Sequence, residues 1–202
     1  MVGIQKTAKL KYPVAKLILI QGSDYTKCVE CSKNYHANSK KGFFGRGIIN
    51  SKNDPCKVTR IGLLGEMAFS LYTGLPADME YRKGGKTHDF DANGISVDIK
   101  TASRDYGAAL IRYKSQRGTI VLRKPADIYI GAFLSEEDKE NGFAHLVLVG
   151  WFPYNEFKEE WVKPARVGNH TNYELPFSEA KPMDSLCQQL QKTGSTPTLI
   201  TE

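Results

Sequence analysis

The chain has 202 residues, enough for one domain with a real core and a small appendage, and its 41% hydrophobic and 25% charged content is that of an ordinary globular protein. Its longest apolar run, Leu17-Ile18-Leu19-Ile20, is far too short to span a membrane and is wrongly flanked for a signal peptide, so a cytoplasmic protein with no membrane partner is expected. The formal charge of +6 is uneven: residues 1–60 hold 12 Lys/Arg against 3 Asp/Glu (+9), and the rest hold 16 against 19 (−3), a split that suggests a polyanionic partner such as DNA.

In chain order, residues 14–20 read as a strand. Residues 23–60 are turn-rich, polar and basic, and offer no obvious core element; about 23–58 are therefore expected to form an insertion-like module within a basic N-terminal region, 1–60. Residues 61–72 (IGLLGEMAFSLY) read as a helix, with Leu64, Ala68 and Leu71 on one stripe and Gly74 and Pro76 as stop signals. Glu66 lies inside that mostly apolar helix. A hairpin is expected at about 86–101 (KTHDFDANGISVDIKT), and strands at 108–116, 119–122, 126–133 and 144–151, the last two joined by a charged turn over 135–141. Residues 182–192 suggest a short helix through Met183, Leu186 and Leu190, followed by a frayed tail, 193–202. This order predicts that the core, 61–192, is an α+β or α/β domain with a mixed sheet flanked by helices.

The hairpin carries the chemistry. Asn93-Gly94 is a strong type I′ turn signal, because both central positions need positive φ. With those residues in the turn, Asp91 falls opposite Ser96 and Asp89 opposite Asp98. Side chains alternate along a strand and cross-strand partners share a face, so Asp89, Asp98 and Lys100 should converge while Phe90, Val97 and Ile99 point into the core. Two carboxylates so placed repel each other, and a divalent cation reverses that repulsion. Mg²⁺ is typically held by one or two carboxylates together with substrate phosphate oxygens. Lys100 can then orient an attacking water and offset charge in a phosphoryl transition state, and Glu66 is a further carboxylate. The chain has four D/E-x-K triplets: Asp98-Ile-Lys100, Glu137-Asp-Lys139, Glu156-Phe-Lys158 and Glu179-Ala-Lys181. Only the first lies in a β-rich segment with a second Asp in register; the others are expected to be solvated. A surface salt-bridge cluster is the competing reading of the Asp/Asp/Lys patch.

Leu-Gly-Glu66 on a helix, His-Asp89-Phe before a turn, and Val-Asp98-Ile-Lys100-Thr after it resemble the PD-(D/E)xK nuclease superfamily, over about residues 60–151. The resemblance implies a restriction-endonuclease-like central mixed sheet and Mg²⁺- or Mn²⁺-dependent hydrolysis of DNA phosphodiesters. Asp89 and Asp98 would ligate the metal, Lys100 would assist the nucleophile, and Glu66 would be the helix carboxylate. His88 stands where the family pattern has Pro. Along 110–116, Arg112, Lys114 and Gln116 alternate; they would contact phosphate or, for Gln116, complete the active site, unless they form a plain exposed strand face.

Cys28-x-x-Cys31 has the spacing of a zinc knuckle, with His36 and Cys56 as the remaining candidate ligands. Bound Zn²⁺ would fold a module rich in Lys40, Lys41, Phe43, Phe44 and Arg46 and hold it against DNA backbone. Reduced, unligated thiols are the alternative, and an iron–sulfur cluster completed by Cys187 is a third option, although Cys187 falls on an apolar helix stripe. The function expected is thus a metal-dependent DNA endonuclease of restriction, recombination or phage-genome-processing type, plausibly a homodimer because two strands need two sites. A non-catalytic DNA-binding protein on a nuclease-like scaffold, with a zinc-stabilised basic module, is the alternative.

Overall fold

The computed structural model describes residues 11–40, 54, 56–80, 88–114, 125–165 and 171–192. In chain order its main elements are β1 (Lys16–Gln21), α1 (Gly22–Lys40), α2 (Lys57–Thr73), β2 (Phe90–Ala92), β3 (Ile95–Ala102), β4 (Ala108–Lys114), β5 (Ile128–Asp138), β6 (Phe143–Pro153), β7 (Val162–Pro164), β8 (Thr171–Pro176) and α3 (Met183–Lys192). A five-stranded sheet runs β1-β6-β5-β3-β2, and a three-stranded antiparallel sheet runs β4-β8-β7. The larger sheet is mixed: β3 and β5 are parallel and the other neighbours antiparallel.

Period-two alternation explains why this sheet is covered on both faces. Ile18, Ile20, Val97, Ile99, Ile130, Leu146 and Leu148 point to one side, where they meet Leu64, Met67 and Phe69 of α2 and Met183, Leu186 and Leu190 of α3. Tyr129, Val147, Val149 and Phe152 point to the other, against Ala109, Ile111 and Leu175 of the small sheet, with Phe177 just beyond it. The result is three layers: helices, mixed sheet, antiparallel sheet. Buried positions on β6 change parity near Gly150, where the register with β5 shifts. A Cβ on Gly150 would lie 2.4 Å from the Lys181 carbonyl, so glycine lets the start of α3 close over the strand.

The expected mixed sheet with helices on a face is therefore present. The N-terminal third differs from expectation. Gly22–Lys40 is a helix, not a turn-rich module, and its Tyr25 and Cys28 join the helix-side core. β5 also runs on to Asp138, through most of the expected charged turn, which is pushed to its end where Gly142 takes φ 69°. Strands β7 and β8 were not anticipated. The expected strand at 119–122 and the tail 193–202 lie outside the described residues, as do Lys41, Phe43, Phe44, Arg46 and Gln116.

Candidate active site at the open edge of the hairpin

Asn93 and Gly94 adopt φ of 53° and 83°, the positive pair a type I′ turn requires. The ladder is Phe90↔Val97, Asp91↔Ser96 and Ala92↔Ile95, the register expected. Asp91 accepts the Gly94 N–H at 2.8 Å, so its carboxylate is used in closing the turn. Asp127, just before β5, accepts both the N–H (2.8 Å) and the hydroxyl (2.7 Å) of Ser96 and ties the hairpin to the sheet.

β2 is only three residues long, so it covers only the first part of β3. Among the described residues that edge of β3 has no strand partner beyond Val97, and the candidate site forms there. Asp89 precedes β2 and is not a ladder residue opposite Asp98. Its N–H still reaches the Val97 carbonyl at 3.0 Å, but its Oδ2 accepts the Ile99 N–H at 2.7 Å, filling the place of the missing strand. On the other side β3 is fixed by β5, with Asp98 beside Tyr129 and Lys100 beside Gly131.

Glu66 is brought in by a close helix–strand contact. A Cβ on Gly65 would stand 1.8 Å from Thr101 Oγ1, so only glycine lets α2 lie this near β3. Glu66 follows directly, half-buried with Oε2 inside the protein. Burial, then the charges of Glu66 and Asp98, push the Asp89 carboxyl up to about 8 against the opposing pull of the Ile99 N–H. Lys100 Nζ lies 2.5 Å from Asp98 Oδ2, with the two side chains one-third and one-sixth exposed. Glu66 and the Asp98 of the Asp–x–Lys pair are thus each near enough to Asp89 to raise its carboxyl.

Sequence reasoning missed Tyr35, on α1. Its hydroxyl donates to the Glu80 carbonyl at 2.9 Å, and burial, then Glu66, Asp78, Cys31 and Asp89, push it up to about 12. The signal available was Tyr35 at seven residues from Cys28, on the same helical stripe.

The acidic groups suit a hard divalent cation in kind: carboxylate oxygens from separate elements, one of them raised by burial and then by the others. Among the described residues no group of three or more His, Cys, Asp or Glu side chains is arranged to hold a metal ion. A cation here would therefore take two carboxylates and complete its shell from water and substrate oxygens. The sulfur set fits zinc poorly. Cys28 and Cys31 lie one turn apart on α1, His36 is on the same helix, and Cys56 precedes α2. The Cys28 thiol is buried and contacts the Leu63 carbonyl at 3.7 Å, and burial pushes it up to about 12. Cys187 is buried on α3, and burial raises it too. Lys40 ends α1 and Lys114 ends β4, while Arg112 is exposed on β4.

The other D/E-x-K triplets are drawn into ion pairs elsewhere: Glu137 with Arg60 at 2.6 Å, Lys139 with Asp54 at 2.5 Å, Glu156 with Lys181 at 2.5 Å, and Lys158 with Glu179. Glu137 is not solvated as expected. Its side chain is 9% exposed, locked against the buried Arg60 guanidinium.

No helix among the described residues is long and apolar enough to cross a membrane. No family model matches the chain, and no curated protein or solved structure matches it either.

Proposed function

We propose that the protein is a Mg²⁺- or Mn²⁺-dependent nuclease that hydrolyses DNA phosphodiesters at the open edge of β3. One observation carries this reading: Asp89 is buried near Glu66 and Asp98, and burial, then their charges, push its carboxyl up to about 8, a cost a cation would relieve. The order Gly-Glu66, Asp89, Asp98-Ile-Lys100, which resembles the PD-(D/E)xK superfamily, supports it, and the +9 charge on residues 1–60 supports a polyanionic substrate.

The bound cation would supply Lewis-acid polarisation of the phosphate and a readily deprotonated water. Asp89 and Asp98 are the ligands in this reading, with Glu66 the further carboxylate. Asp89 would give up its proton on holding the cation, and the Ile99 N–H would keep its carboxylate aimed. Lys100 turns from Asp98 toward the phosphate, orients the attacking water and offsets charge as the phosphorus gains a fifth oxygen. A homodimer would place two such sites on two strands.

The test is incubation with linear, supercoiled and branched DNA in Mg²⁺ or Mn²⁺, beside Asp98→Ala and Lys100→Ala. The wild type should cleave at least one substrate, and each variant should lose on the order of a hundredfold or more in rate. Cleavage surviving both substitutions would sink the assignment. A second reading, a non-catalytic DNA-binding protein on this scaffold, is favoured by the Lys100–Asp98 ion pair, which already neutralises one carboxylate. Its signature is DNA binding with no cleavage in either metal.

A further inference from the structure

Past the carboxylates, the same edge of β3 opens into a second feature. Ile99 to Ala102 form one wall of a cleft of about 610 Å³ that lies between the start of α2 and strands β4 and β8. Its volume falls within the range of small-ligand sites, roughly 300–1,000 Å³. Four large hydrophobic residues of the described chain are exposed, and three of them line this cleft: Val58 (49%), Tyr106 (51%) and Leu110 (55%). Exposed apolar side chains gathered round one concavity mark a binding surface.

Tyr106 is exposed on a fixed backbone. Asp105 Oδ1 accepts the Gly107 N–H at 2.8 Å and the Tyr12 hydroxyl at 2.9 Å, and the Gly107 carbonyl accepts the Phe177 N–H at 2.8 Å. The chain is thus pinned on either side of a half-exposed ring. The Arg104 guanidinium lies over that ring, 4.8 Å from its centroid, which leaves the opposite face for a second flat group. Asn172, 9% exposed, also lines the cleft, and its carboxamide hydrogen-bonds no other described residue. A nearly buried amide with open donors and acceptors suits a ligand edge that carries both. Glu174 adds a further acceptor, and Lys100 joins the cleft to the candidate active site.

A flat aromatic platform, aliphatic walls, one amide at the polar edge and cations at the mouth match a nucleobase on a phosphate backbone. We propose that this cleft takes one unpaired nucleobase of the strand whose phosphate lies at Asp98 and Lys100, with Tyr106 as its stacking platform and Asn172 at its polar edge. The proposal rests on the nuclease reading, and makes an unpaired base at the cleavage position the specificity element of the substrate. An exocyclic amine on the base would satisfy the acceptors of Asn172 and Glu174, so cytosine and adenine are favoured over thymine.

The test uses the full chain and two DNA duplexes that differ only at one bulged position, a cytosine in one and an abasic residue in the other. Binding is measured in EDTA and cleavage separately in Mg²⁺. The wild type should bind the cytosine duplex about tenfold more tightly, the effect of one base–aromatic stack. Tyr106→Ala should erase that preference and Tyr106→Phe should keep it. Leu110→Ala, on a different element, should reduce it, and all three should unfold at the wild-type temperature because the ring and the leucine are half exposed. Equal binding of the two duplexes by a wild type that cleaves them overturns the cleft assignment and leaves the nuclease reading standing. A preference that survives Tyr106→Ala also overturns it. A wild type that neither binds nor cleaves either duplex removes the nuclease reading and this inference together.

Discussion

Asp89 is a buried carboxylate with two further carboxylates near it. An ordinary aspartate titrates near 4, and this one is pushed up to about 8, so the folded state holds its proton more tightly than the unfolded chain does. The stability it contributes is therefore complete below about pH 4 and is lost as pH rises through about 8. Asp89→Asn removes the charge and keeps an oxygen for the Ile99 N–H. The variant should match the wild type near pH 4 and exceed it at pH 8 by on the order of 2 kcal/mol or more, read as a difference in thermal midpoint that grows with pH. A difference that is flat across this range would contradict the buried-carboxylate account. Mg²⁺ should narrow the gap at pH 8 by stabilising only the wild type.

At the scale of elements, α2 makes two opposite predictions from one substitution. Gly62 has nothing within 4 Å of an added Cβ, so Gly62→Ala should gain up to about 1 kcal/mol from helix propensity. Gly65→Ala would drive a methyl into Thr101 and should cost about 1–3 kcal/mol despite the same propensity gain, while lifting Glu66 off β3. Thermal melts of the two variants, with DNA cleavage measured alongside, check both signs. The hairpin was legible because its turn states its own geometry: Asn93-Gly94 fixes two positive φ values, and the register follows from them. Asp89 standing outside the ladder was not legible, since it depends on β2 starting only at Phe90 and on an Ile99 N–H that needs an acceptor. α1 was hidden because its buried stripe is Tyr25, Cys28 and Ser32, correct in spacing but weak in hydropathy. β8 was hidden likewise, with Asn172 and Leu175 as its buried residues amid polar neighbours. Glu137, read as part of a charged turn, lies within β5, where Arg60 pairs with it across the helix–sheet boundary.

On the scale of the whole molecule, the layers explain the site's position. A parallel β3–β5 pair places Asp98 and Lys100 in the central sheet, and among the described residues the short β2 does not extend along their outer edge. The helical layer delivers Glu66 from one side and the small sheet walls the cleft on the other. Polyanion binding in this reading draws on the basic N-terminal residues, so affinity for duplex DNA should fall steeply with salt, whereas the preference for a bulged base, which is a stacking effect, should change little. The proposal on which the rest depends is that Asp89 and Asp98, with Glu66 near Asp89, take a divalent cation. Titration of Mn²⁺ into the protein at about pH 7, in two buffers of different ionisation enthalpy, tests it most directly. The account predicts saturable binding accompanied by proton release from Asp89, release that disappears at about pH 9 and binding that disappears in Asp98→Ala. An absence of binding, or binding unchanged by Asp98→Ala, would contradict it.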